Sequence, residues 1–254
     1  MTIEVVRSPL LAGVPHGFLG RTGGVSTGEV AGLNVGLGSR DDPIVVAENR
    51  RRAVNAVLPL ASLVTAFQVH SAEVVVVTAA WPDNARPHAD ALVTERPGLA
   101  LGILTADCAP VLLADRKAGV VGAAHAGWKG AFSGVIDATI NAMERLGGKR
   151  SRIVGAIGPC IAQQSYEVDD AFRARFMSSD RDTEVFFSAG RAGHAFFNLE
   201  GYVAHRLQAA GINHIDRAGE DTLAQPARFY SFRRATLAKE SDYGRQISII
   251  ALGE

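Results

Sequence analysis

Two apolar runs separated by five polar, glycine-containing positions constrain this chain more than any other feature. Residues 111–114 (VLLA) and 120–124 (VVGAA) read as strands, and the link between them, Asp115-Arg116-Lys117-Ala118-Gly119, has hairpin length. The surrounding stretch, residues 101–129, places Cys108 just before the first strand and His125 just after the second. With the turn centred near Lys117, positions whose numbers sum to about 234 face each other, so Cys108 comes within a residue of being opposite His125. Opposed side chains on an antiparallel pair have Cβ atoms roughly 4.5–5.5 Å apart, close enough for a thiolate and an imidazole to share a metal or a proton.

Composition bounds what such a pair can belong to. A chain of 254 residues with 47% apolar and 20% charged residues is an ordinary globular mixture with a well-buried core. Lys plus Arg equals Asp plus Glu at 26 each, so no basic excess argues for nucleic acid or an anionic membrane, and a small-molecule ligand is expected. Cys108 and Cys160 alone make no disulfide framework. The N-terminus lacks a signal-peptide pattern, and Asp107, Asp115 or His125 interrupts the apolar stretches before they could span a bilayer. A reducing, cytoplasmic location is expected. No composition break or repeat divides the chain, so residues 1–254 are expected to form one domain; the sequence does not give its oligomeric state.

In chain order, residues 14–38 are glycine-rich and read as loops. Within them RTGG at residues 21–24 is either a tight turn or a place where backbone N–H groups and Arg21 meet an anion. Asp42-Pro43 opens a helix with apolar positions at Val46, Ala53, Val54, Val57 and Leu58, and Arg50, Arg51 and Arg52 on it read as a solvated face. His70 precedes a β-branched run at residues 74–78; a lone histidine there is usually structural, but a zinc site needs three or four donors and the hairpin supplies two. Residues 99–104 are expected to add a strand to the hairpin's sheet. Beyond His125, apolar residues at Phe132, Val135, Ile136, Ile140, Met143 and Leu146 form one stripe of a helix that starts near Trp128 and stops at Gly147-Gly148, its N-terminus and Lys129 placed to face an anion. Residues 152–157, 229–232 and 247–252 read as strands; residues 169–177 and a segment capped by Asn198 read as helices. Cys160 follows Pro159 in a turn and is expected to be buried and inert. Interleaved strands and helices with one hairpin indicate α/β (α+β) architecture, a mixed sheet covered by helices.

Taken together, RTGGVS (21–26), LNVG (33–36), QVHS (68–71), TADCAPVLLAD (105–115), HAGWKG (125–130), IGPCI (157–161), YEV (166–168) and FYSFRR (229–234) resemble, in this order, the YfiH-like family. That family is also known as the laccase-domain or multicopper polyphenol oxidase family and as purine nucleoside phosphorylases of the YfiH type. The resemblance implies one α/β domain, similar to the catalytic domain of cytotoxic necrotising factor toxins. It implies a zinc held by His70, Cys108 and His125, and phosphorolysis of adenosine, inosine and methylthioadenosine to free base and ribose 1-phosphate, with adenosine deamination. Three protein ligands leave a fourth position open, the arrangement of a catalytic zinc. Asp107, because it adjoins Cys108, is expected to support that ligand or act as an acid/base group, while the resemblance makes Arg21, Ser26, Asn34 and Lys129 candidate phosphate or sugar contacts. This chain has Lys129 where the family more usually has arginine, and Asp221 where a cysteine is common.

Two other activities stay open at this stage. Cys108 and His125 are also the pair a cysteine hydrolase uses, and an amidase that edits UDP-muramyl peptidoglycan precursors fits that chemistry. A copper polyphenol oxidase is disfavoured, because four coppers need many histidines and the chain has seven.

Overall fold

In the computed structural model, which describes residues 2–253, the glycine-rich N-terminal segment contributes β1 (Val5–Val6) and the buried β2 (His16–Leu19) before its loops. Helix α1 (Pro43–Val57) starts where Asp42-Pro43 predicts: the Asp42 carboxylate accepts from Ile44 N at 2.8 Å, and proline fills a position whose N–H has no helical partner. Then come β3 (Ser62–Thr65), β4 (Val74–Val76), β5 (Ala91–Thr94), β6 (Leu99–Thr105), β7 (Ala109–Asp115) and β8 (Val120–Ala126). Helices α2 (Trp128–Phe132) and α3 (Val135–Arg145) lead to β9 (Val154–Ile157), β10 (Glu167–Asp169), α4 (Asp170–Ser179), β11 (Phe187–Ala189) and β12 (His194–Phe197). The chain ends with α5 (Leu199–Ala209), capped by the Asn198 side chain, then β13 (His214–Arg217), α6 (Phe232–Ala238) and β14 (Gln246–Ala251).

The α/β class with mixed sheets and helices is as expected, but the strands divide between two large sheets. One has the order β1-β2-β14-β6-β3, the other β13-β9-β7-β8-β5-β4, and a small sheet β10-β12-β11 lies apart from both. All seven residues of β7 and of β8 are buried, because both faces of that sheet are covered. Leu112, Ala114, Val121 and Ala123 pack against Phe18, Leu101, Ile103 and Ile250 of the other large sheet. On the opposite face Val111 and Leu113 meet Ile136 and Ile140 of α3 and Val203 and Leu207 of α5. Strands buried on both faces lose the apolar–polar alternation and read as continuous apolar runs. The far face of the first sheet is closed by α1, through Ala53 and Val54 against Ile247 and Ile249.

Five expectations are corrected. Residues 99–104 do form a strand, β6, but it pairs with β14 and β3 in the other sheet; the chain turns out of it at residues 106–108, where Asp107 has φ +90°, and enters the second sheet as β7. The hairpin register pairs Pro110 with His125, so Cys108 lies just outside β7 and two positions short of facing His125. The helix after His125 is broken at Gly134, in the left-handed region with φ +93°, into α2 and α3. Residues 229–231 enter no sheet ladder; Ser231 instead caps α6, accepting from Arg234 N at 3.1 Å. Arg51 and Arg52 pair with Glu48 at the surface, whereas Arg50 is buried against Asp83 (2.9 Å) and Thr65 (3.1 Å). Among the described residues no helix is long and apolar enough to cross a membrane.

Candidate metal centre

His70, Cys108 and His125 come together at one end of the six-stranded sheet, where β8 finishes and β7 begins. His125 belongs to β8, Cys108 to the elbow between β6 and β7, and His70 to the segment between β3 and β4, held in the left-handed region with φ +60°. One ligand atom from each lies within 4.8 Å of the other two, so a single metal ion can reach all three. His70 Nε2 is 3.8 Å from Cys108 Sγ, and the two imidazole rings lie 4.7 Å apart at 71°. His125 is buried, Cys108 half-buried and His70 exposed, so the cluster opens to solvent on the His70 side. Gly127 leaves this space free: a Cβ there would stand 2.8 Å from Cys108 Sγ and 2.9 Å from His70 Cδ2.

The residue that assembles the cluster is Asp90, fully buried just before β5. Its Oδ1 accepts from His125 Nδ1 at 2.8 Å and from His70 N at 2.9 Å. Its Oδ2 accepts from Ser71 N (2.6 Å), Ser71 Oγ (2.8 Å) and Val69 N (3.1 Å). One carboxylate therefore fixes the orientation of one imidazole and the backbone that carries the other. With the Nδ1 hydrogen of His125 directed at Asp90, its Nε2 lone pair is left for a metal, the usual outer-shell arrangement of a ligating histidine. In the sequence nothing marks Asp90 beyond a charge opening the apolar run ALVT, since an aspartate before a strand is common at turns.

Charge reinforces the geometry. Burial would push the Cys108 thiol up, but His125 and then His70 beside it bring it down to about 6. Burial would pull His125 down, yet the Cys108 thiolate and Asp90 hold it up at about 9. Burial likewise favours neutral Asp90, but the hydrogen bonds from His125 and Ser71 keep its carboxyl well below the usual range. The two shifts favour a thiolate–imidazolium pair, and a metal taking both side chains would displace a proton from His125.

Asp107 stands next to Cys108 with φ +90°, but its carboxylate turns away from the two histidines. Oδ1 accepts from Thr222 Oγ1 and Oδ2 from Arg233 N, both at 2.7 Å, and burial raises its pKa. Lys129 is exposed on α2, its ammonium 5.6 Å from the Trp128 ring; that helix has only five residues, too short to add a strong dipole. Arg21 donates to Ala31 O and Pro226 O and lies over Tyr230. Ser26 donates to Asp41 and accepts from Asn49, and Asn34 donates to Ser39 and Asp41. Among the described residues, none of these hydrogen bonds runs to the three-residue cluster. Cys160 is 1% exposed in the core, where burial raises its thiol pKa well above the ordinary value.

Two large α/β sheets thus carry an open His–Cys–His cluster of a size that one metal ion could bridge. The chain belongs to the family described as multi-copper polyphenol oxidoreductase laccase, whose sequence model matches residues 15–253. It is 40% identical over 98% of its length to a Deinococcus radiodurans protein named purine nucleoside phosphorylase, of which it covers 93%. It is 39% identical to the purine nucleoside phosphorylase ORF3 of Streptomyces griseus, over 92% of this chain and 94% of that one. Among solved structures it is similar to Bacillus licheniformis YfiH (TM-score 0.89, 28% identity, covering 99% and 96% of the two chains) and to Geobacillus stearothermophilus YlmD (TM-score 0.87, 33% identity, 97% and 94%).

Proposed function

We propose that the chain is a purine nucleoside phosphorylase that works at a zinc held by His70, Cys108 and His125. The observation that carries this is the pairing of that open cluster with 40% identity, over nearly the whole chain, to a relative named for the activity. A thiolate with two imidazoles suits zinc, and a four-copper centre needs many more histidines than the two that gather here among the described residues. His16, for instance, spends both ring nitrogens on Ser8 N and Val14 O, and His194 spends both of its own on Arg191 and Ala192 O.

When bound, zinc would supply a Lewis acid beside an open coordination position. The chain's own residues supply the rest. Asp90 holds His125 in the tautomer that offers Nε2, and through three backbone N–H groups it keeps His70 on station. Gly127 excludes any side chain from the space between Cys108 and His70. Lys129 is the exposed cation among the expected substrate contacts, while Arg21, Ser26 and Asn34 act by holding the loop of residues 21–41. In phosphorolysis a phosphate oxygen bonds to C1′ of the ribose, the C1′–N bond breaks, and its electron pair leaves with the base, which takes a proton. Hydrolytic deamination of adenosine to inosine and ammonia belongs to the same reading. The free thiols Cys108 and Cys160 suit a reducing cytoplasm.

A second reading rests on one observation: the Cys108 thiol at about 6, His125 and Asp90 also form a nucleophile, base and orienting acid. That is the arrangement of a cysteine amidase acting on a muramyl precursor. Purified protein given adenosine with inorganic phosphate, and separately a UDP-muramyl amide, decides between them. The phosphorylase releases adenine and ribose 1-phosphate, carries about one zinc per chain and stops when the zinc is stripped. Full activity of metal-free protein, or amide hydrolysis without phosphorolysis, supports the thiol nucleophile and refutes the zinc phosphorylase.

A further inference from the structure

Of the two arginines in FYSFRR, only one is consumed by the fold. Arg234 spends its guanidinium on the carbonyls of Thr222, Leu223 and Phe229, at 2.8, 3.1 and 2.6 Å. Arg233 gives one donor to Glu167 O at 3.0 Å and lies 5.4 Å above the Tyr166 ring. Of its five N–H donors the others have no protein acceptor, and no carboxylate pairs with it among the described residues. Its position is fixed from the site itself: Arg233 N donates at 2.7 Å to Asp107, the residue before Cys108. The Asp107 carboxylate accepts from that N–H and from Thr222 Oγ1, and it makes no hydrogen bond to the Arg233 guanidinium among the described residues. Burial raises the Tyr166 hydroxyl pKa; Cys108 and Asp107 raise it further and Arg233 opposes them, which places all four groups in one neighbourhood.

We propose that Arg233 is the receptor for the phosphate co-substrate, its free guanidinium fork presenting paired donors to a phosphate dianion beside the Cys108 elbow. A planar fork matches two phosphate oxygens at once. The Tyr166 face, the Glu167 carbonyl and the Asp107 anchor hold that fork in place before phosphate arrives, so little side-chain freedom is lost on binding. Orienting phosphate there supplies the attacking oxygen of the phosphorolysis described above. The inference rests on the phosphorylase reading, and its test separates the two.

Steady-state phosphorolysis of adenosine is measured for wild type, Arg233→Gln and Arg233→Lys, varying phosphate and adenosine in turn, with circular dichroism as the check on folding. Loss of the fork raises the KM for phosphate roughly ten- to hundredfold in Arg233→Gln while the KM for adenosine stays within about twofold, and Arg233→Lys recovers part of the loss because it keeps the charge. An unchanged KM for phosphate, or an equal effect on both substrates, overturns the assignment. If wild type forms no ribose 1-phosphate, the phosphorylase reading fails on its own. Calorimetric titration with inorganic phosphate then reads the anion site directly: heat in wild type that is lost in Arg233→Gln sustains it, and no heat in wild type overturns it.

Discussion

Asp90→Asn exchanges one oxygen for an NH2 group and leaves the shape of the side chain alone. Two donors point at Oδ1, from His125 Nδ1 and His70 N, and three at Oδ2, from Val69 N, Ser71 N and Ser71 Oγ. Asparagine keeps a single acceptor oxygen, and the larger set of donors holds it at the Oδ2 position. The new NH2 then confronts His125 Nδ1. The imidazole escapes the clash by giving up its Nδ1 proton and keeping the one on Nε2, which removes the lone pair a metal would use. Losing a charge-assisted hydrogen bond costs about 1.5–3 kcal/mol, and losing the partner of a ligating histidine costs about 10–100-fold in metal affinity; at about 1.4 kcal/mol per factor of ten the two ranges coincide. Zinc affinity, read by competition with a chromophoric chelator, is therefore expected to fall about 10–100-fold. Turnover at limiting zinc should fall in parallel and recover at excess zinc. A variant that binds zinc within about twofold of wild type would show that the Asp90 contact does not set the His125 tautomer.

Gly127→Ala puts a methyl group 2.8 Å from Cys108 Sγ; Gly127 has φ −64°, so alanine brings no backbone strain, and metal binding is expected to fail while the melting temperature stays near that of metal-free wild type. In metal-stripped protein, Cys108 should react with iodoacetamide along a titration centred near pH 6; a midpoint above about pH 8, near that of an ordinary thiol, refutes the thiolate–imidazolium pair. Asp115, fully buried, closes the β7–β8 link by accepting from Lys117 N, Ala118 N, Lys149 N and Arg152. Burial would raise its pKa, but Arg152 and the backbone donors hold it below the ordinary value. Its stabilisation is thus present above the unfolded-state pKa and lost as pH falls through the lower folded value; Asp115→Ala should cost about 2–4 kcal/mol at pH 7 and much less in acid, by urea unfolding at both pH values.

How much of this was legible follows from which interactions are local. The hairpin, the Asp42-Pro43 start of α1 and the Asn198 cap are written within a few positions of themselves, and all three form. The apolar stripe of α3 also forms, but Gly134 divides it from α2, a break that periodicity alone does not reveal. The apolar run of residues 99–104 marks β6 as a strand and is silent on its sheet, which depends on the turn at Asp107 and on β14, far along the chain. Cys108 and His125 stood out because thiol and imidazole are rare side chains at the open end of one hairpin, and His70 only as the third donor a metal site needs. Asp90 did not, because its meaning lies in partners 20 and 35 positions away, and one aspartate among many carries no mark of that.

The chain passes between the two large sheets between β3 and β4 and again between β6 and β7, and each passage carries one member of the cluster, His70 on the first and Cys108 on the second. An ion gripping both would close a loop of 38 positions, and a cross-link of that span restricts the unfolded chain by about 4 kcal/mol on a chain-entropy reckoning. The centre would then act as a clasp on the seam of the sandwich as well as a reagent. Stripping the metal should lower the melting temperature and speed amide exchange first in residues 66–73 and 106–108, ahead of the strands on either side.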